Sequence, residues 1–65
     1  MTINVGDWIR YRCGWRHQVV IDVVLYVRKQ ANYPWRMEAV TIANVVAFDD
    51  VLEARREILS GEKET

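Results

Sequence analysis

The sequence predicts a mainly β domain, and three observations carry that prediction. Two segments alternate with period two, the longer one is rich in β-branched residues, and the gaps between apolar runs are short. At 65 residues the chain holds one small domain, assigned here to residues 1–60, with 61–65 as a flexible tail. Hydrophobic residues make up 51% of it, and nine Lys and Arg balance nine Asp and Glu. That composition excludes a chain disordered by charge. It also leaves a thin core, so the fold must pack economically, self-associate or dock onto a partner.

The first strand is expected within Ile3–Cys13. Val5, Ile9 and Tyr11 share one parity, Trp8, Arg10 and Arg12 the other, and Gly6-Asp7 marks a bend near the start. The second runs over Gln18–Arg28. Val19, Ile21, Val23, Leu25 and Val27 share one parity, which is the expected core side; Val20, Asp22, Val24 and Tyr26 fall on the other. Its β-branched residues lose rotamer freedom in helices and fit a pleated surface. Gly14-Trp15-Arg16-His17 between the two is short enough for a hairpin connection. Tyr33-Pro34-Trp35 reads as loop or strand edge, because Pro34 has no amide to donate. Met37–Ile42 and Val45–Phe48 form two further strands around an Ala43-Asn44 turn.

Residues 51–59 admit two forms. Asp50 and Glu53 fit a capping box, and Val51, Leu52, Ile58 and Leu59 line a helix ending at Gly61. Alternatively Val51–Arg55 is a short last strand covering the open edge of the first.

The opening Val5-Gly6-Asp7-Trp8-Ile9-Arg10, the long apolar strand, and Val46-Ala47-Phe48-Asp49-Asp50-Val51-Leu52-Glu53 together resemble the small SH3-like barrels. In that group a G-D-x-V/I-R first strand is common, and an acidic D-D/E-x-L-E turn leads into the last strand. The resemblance spans roughly residues 3–56. It implies a five-stranded, strongly bent barrel with one helical turn near Phe48–Asp50, and a short helix or frayed tail after Arg56. The layout is also similar to the plasmid-type dihydrofolate reductases, barrels that assemble as tetramers around a pore. Their pore uses Val-Gln-Ile-Tyr in the fourth strand. Val45-Val46-Ala47-Phe48 stands here, without the Gln and Tyr, so that activity is not expected. What the likeness leaves is a barrel that gains function by self-association.

Charge is unevenly spread. Residues 1–36 carry Arg10, Arg12, Arg16, Arg28, Lys29 and Arg36 against Asp7 and Asp22, a surplus of four positive charges, and residues 37–65 carry the matching acidic surplus. The basic half also holds Trp8, Tyr11, Trp15, Tyr26, Tyr33 and Trp35. Arginine interleaved with aromatics suits single-stranded nucleic acid, which makes Arg10, Arg12, Arg28 and Lys29 candidate contacts. The competing reading pairs the first and last strands, so that Glu53 and Asp49 neutralise Arg10 or Arg12 across a ladder.

Trp15, Arg16, Tyr33, Trp35 and Arg36 lie in turn contexts where large rings are hard to explain as core. In an SH3-like barrel the loops after the first two strands flank a shared groove, and aromatics with Arg anchor protein partners. Alternatively these rings cap the open ends of a small barrel.

Catalytic and metal chemistry find little footing. A single cysteine excludes an internal disulfide framework and a four-cysteine zinc site. Cys13 and His17 are two ligands without a third, and no orienting group or oxyanion hole accompanies them. Asp49, Asp50 and Glu53 suit turn capping better than acid–base work. The glycines are scattered and form no phosphate loop. No apolar run reaches the ~18 residues of a membrane span, and no signal peptide is visible. The expectation is a cytoplasmic, non-catalytic binding module without cofactor, metal or small-molecule substrate, an accessory or inhibitory protein of the kind that phages and mobile elements carry. Its partner is a protein or a second copy; the alternatives are a nucleic-acid-binding barrel and a structural homo-oligomer or subunit of a larger assembly.

Overall fold

A computed structural model describes residues 2–57. It consists of five antiparallel strands: β1 (Trp8–Cys13), β2 (Gln18–Lys29), β3 (Met37–Thr41), β4 (Val45–Ala47) and β5 (Val51–Arg55), with a 3-10 turn over Phe48–Asp50. The ladder order is β4-β3-β2-β1-β5. The mainly β class, the number of strands and the helical turn are as the sequence predicts. Closure is not: the sheet is open among the described residues, with β4 and β5 as its terminal strands. The tail at 61–65, the end of the domain at 58–60 and any helix there lie outside the described residues.

The two-way reading of residues 51–59 resolves to a strand over Val51–Arg55. Pairing with β1 supplies backbone partners that a helix would have to find within itself, and it drops Val51 into the core. Glu53 is not a cap. It faces Arg10 across the ladder and accepts its hydrogen bond. β1 begins later than expected, at Trp8, because Asn4–Asp7 forms a turn with Gly6 at φ +90°. The Asp7 amide donates to the Asn4 carbonyl (3.0 Å), and the Asn4 amide donates to Asp7 Oδ2 (2.9 Å).

β2 reverses the expected inside and outside. Its N-terminal half pairs with β1 and its C-terminal half with β3, with a register shift between Val24 and Tyr26. Before the shift Asp22 and Val24 are buried and Val20 packs on the core, whereas Val19 and Leu25 are half exposed. After it, Val27 turns inward. One extra residue in a strand exchanges its two faces, and a bulge is the device that does so. The parity expected to form the core therefore faces outward along most of the strand.

The core is small. Among the described residues, Ile3, Ile9, Tyr11, Val24, Ala39, Val46 and Val51 are its buried apolar members. Asp22 enters it because partners wait there: the Tyr11 hydroxyl donates to its Oδ2 (3.3 Å), as does the Ala43 amide (3.4 Å), and the Val23 amide donates to Oδ1 (2.9 Å). Asn44 Nδ2 donates in turn to the Tyr11 hydroxyl oxygen (2.8 Å). A buried carboxylate with such donors is tolerated, while one without them is strongly disfavoured.

The facing of β2 is directly testable. Val24→Ala should lower unfolding free energy by about 2 kcal/mol, through lost burial and a residual cavity. Leu25→Ala should lower it by less than about 1 kcal/mol, because Leu25 is half exposed. Urea denaturation of the two variants measures both, and the opposite ranking would mean that β2 is turned over.

Candidate interaction surface

Two loops carry the aromatic residues. Gly14–His17 joins β1 to β2, and both ends of this turn take left-handed backbone, Gly14 at φ +79° and His17 at φ +56°. The His17 amide closes the turn on the Gly14 carbonyl (3.0 Å), which leaves Trp15 and Arg16 at its tip. Trp15 is 83% exposed, and the Arg16 guanidinium lies 4.9 Å from its ring centre. The second loop, residues 30–36, is closed at its base by the Gln30 amide on the Arg36 carbonyl (2.9 Å). Within it the Arg36 amide donates to the Tyr33 carbonyl (2.8 Å). Tyr33 and Trp35 meet edge to face at 5.5 Å, and the Arg36 guanidinium sits 5.8 Å from the Tyr33 ring centre. Trp35 is 74% exposed. Trp8, by contrast, is half-buried on β1.

Trp15, Arg16, Tyr33, Trp35 and Arg36 thus form two separate clusters, each with a cation over a ring. The 3-10 turn lies between the two loops. Asp49 lines a groove with Trp35, Arg36, Met37 and Phe48, and it also lines a second groove with Arg12, Gly14, His17 and Leu52. Asp49 is common to these two grooves; of the five candidate residues Trp35 and Arg36 line the first, and none lines the second. Phe48, Met37 and Leu52 contribute walls that sequence reasoning did not single out. The strand-to-acidic-turn junction at Phe48 was the available signal for the first.

The four candidate nucleic-acid contacts divide in two. Arg10 is bonded to Glu53, and Glu53 also accepts from Arg55 Nε (2.7 Å). Arg28 Nε donates to Glu38 Oε2 at 2.6 Å, and that hydrogen bond holds the Arg28 pKa above its ordinary value. Arg12 and Lys29 are exposed and make no ion pair among the described residues. Lys29 lines a further groove beside Arg28, Asn32 and Tyr33. Arg56, just after β5, reaches Asp7, just before β1 (3.5 Å). The acidic and basic halves of the sequence thus face each other in part.

Cys13 packs against the core and His17 is exposed in the turn. No cluster of three or more His, Cys, Asp or Glu that could hold a metal ion occurs among the described residues. No helix among them is long and apolar enough to cross a membrane. No protein-family model, no curated protein and no solved structure matches the chain.

The Arg10–Glu53 pair should be weak and sensitive to salt, since both side chains keep about a quarter to a third of their exposure. Glu53→Gln is expected to lower stability by roughly 0.5–1 kcal/mol at low ionic strength, with most of that loss gone in about 1 M NaCl. Urea melts at the two salt concentrations test this, and a salt-independent loss would assign Glu53 a packing role instead.

Proposed function

We propose that the protein is a non-catalytic binding module, acting in an accessory or inhibitory role, that engages a protein partner through its two aromatic loops. Exposure carries this reading: Trp15 and Trp35 present 83% and 74% of their surface to solvent. Rings of this size are seldom left uncovered without a use, and Trp, Tyr and Arg supply most of the energy at protein interfaces. Stacking supports it further. Arg16 over Trp15 and Arg36 over Tyr33 hold long side chains near one arrangement before any partner arrives, which lowers the entropic cost of binding.

The charge arrangement favours a protein over nucleic acid. Affinity for phosphate backbones comes from uncompensated positive charge, and two of the four candidate arginine and lysine contacts are tied to glutamates. Lys29 and Arg12 sustain the alternative, Lys29 because it lies in the same groove as Tyr33.

Trp35→Ala is expected to leave the thermal midpoint nearly unchanged and to weaken a co-purified partner complex by about 2 kcal/mol, roughly 30-fold in Kd. If the substitution unfolds the protein, Trp35 belongs to its stability and the reading fails. Tryptophan fluorescence during titration with single- and double-stranded oligonucleotides, at about 50 mM and about 300 mM salt, separates the alternative. The expected result is no saturable change; quenching that weakens steeply with salt would establish the nucleic-acid reading in its place.

A further inference from the structure

Internal pairing leaves an uneven remainder of charge on the surface. Glu53 takes Arg10 and Arg55, Glu38 takes Arg28, and Asp7 takes Arg56. Asp22 is buried among its own donors. Four exposed cations make no ion pair among the described residues: Arg12, Arg16, Lys29 and Arg36. All four belong to the aromatic loops or to the strand ends that carry them. The exposed carboxylates left beside them are Asp49 and Asp50, on the 3-10 turn, whereas Glu57 lies beyond β5.

Two of these cations are held in a particular way. The Arg16 guanidinium lies 4.9 Å from the Trp15 ring centre, and that of Arg36 lies 5.8 Å from the Tyr33 ring centre. A ring against one face of a guanidinium leaves the N–H groups of its perimeter open, and that perimeter is the fork that matches a carboxylate. The ring also restricts where the fork points, so less freedom is lost when an anion arrives. Each loop therefore sets an apolar ring beside a carboxylate-binding fork.

We infer that the occupant of the two loops is an acidic segment of a partner protein, with its carboxylates on Arg16 and Arg36 and its apolar side chains on Trp15, Tyr33 and Trp35. The inference rests on the loop-binding reading above and adds the sign of the partner's charge. Four cations against two carboxylates favour an anionic occupant. The position of Asp49 then selects protein over nucleic acid. Asp49 lines one groove with Arg36 and Trp35 and another with Arg12 and His17, so it stands between two cationic clusters. A nucleic-acid backbone carries charge at every step, and in passing from one loop to the other it would bring phosphates against Asp49 and Asp50. A polypeptide can place acidic residues at the guanidinia and uncharged ones at the turn.

Three tryptophan-free probes test this against the full chain, with the protein's tryptophan emission as the readout. They are the end-blocked peptide Gly-Glu-Leu-Glu-Gly-Glu-Leu-Glu, its counterpart with Gln at every Glu, and a pentathymidylate whose phosphates match the peptide's charge. At about 50 mM salt the acidic peptide should saturate with a Kd on the order of 100 µM, about tenfold tighter than the Gln peptide and tighter than the oligonucleotide. Arg16→Gln and Arg36→Gln should each weaken it by about threefold or more, and Arg36→Lys, which keeps the charge but not the fork, by nearly as much. Arg28→Gln removes the same charge from a guanidinium already engaged by Glu38 and should leave the Kd within about twofold. Far-UV circular dichroism confirms that each variant is folded. No saturation by the acidic peptide up to about 5 mM, tighter binding of the oligonucleotide, or an equal loss from Arg28→Gln overturns the inference. Trp35→Ala separates it from the reading it rests on. Gln and acidic peptides that bind equally and are both weakened by Trp35→Ala overturn the charge preference and leave the loops as the binding surface; acidic-peptide binding that Trp35→Ala leaves unchanged overturns both.

Discussion

The bulge in β2 between Val24 and Tyr26 is the feature on which the remaining structure depends. A strand of twelve residues is too long to serve one ladder in a domain of this size, and the shift lets it serve two. Its first half carries β1, and through β1 the last strand; its second half carries β3 and β4. The extra residue also decides what each half turns inward: Val20, Asp22 and Val24 on one side of it, Val27 on the other. Asp22 reaches the Tyr11 hydroxyl and the Ala43 amide only because the strand faces this way. That set of bonds ties β1, β2 and the β3–β4 turn together at one buried point, where each lost donor would leave part of a buried carboxylate unsatisfied.

Charge follows the same topology. A basic first half and an acidic second half look like a binding face when the sequence is read linearly. The meander folds one partly onto the other, so Arg28 meets Glu38 through β2–β3 and Arg10 meets Glu53 through β1–β5. Arg56 and Asp7 repeat the pattern with the signs exchanged. Pairs of this kind contribute little stability individually. Their larger effect is subtractive: they remove arginines from the set available to an anionic ligand.

Much of this was legible in the sequence, and what was not has a physical reason. Period-two alternation located β1 and β2, apolar runs around the Ala43-Asn44 turn located β3 and β4, and the resemblance to the small barrels supplied the 3-10 turn and, between the two forms open for residues 51–59, the last strand. The turn contexts of Trp15 and Trp35 left exposure and end-capping both open, and the structure leaves both rings exposed. The facing of β2 was not legible, because alternation identifies two parities without saying which one is inside. Asp22 made the wrong choice attractive, since a carboxylate is ordinarily kept in water. Only residues from other elements, Tyr11 and Ala43, make its burial acceptable, and no local window contains them. The grooves meeting at Asp49 were hidden for a related reason. They need β2 to bend far enough for the loops at its two ends to approach the same helical turn.

The loops and the outward face of β2, β3 and β4 make different physical demands. The loops are held by short backbone bonds at their own bases, from Gln30 to Arg36 and from His17 to Gly14. Their ring and guanidinium stacks are therefore arranged without drawing on the core, and a change at a tip need not propagate into the sheet. The outward row of β2, β3 and β4, where Tyr26 faces Val40 and Val40 faces Val45 in register, is the reverse of the core surface formed by Val27, Ala39 and Val46. Tyr26 lies between exposed Leu25 and inward Val27. A change of register there would move the outward row and the core at once. A change in that face is thus coupled to the fold, whereas a change at the loop tips is not. With seven buried apolar side chains in the core among the described residues, this separation lets the loop surface vary in sequence while the sheet stays as it is.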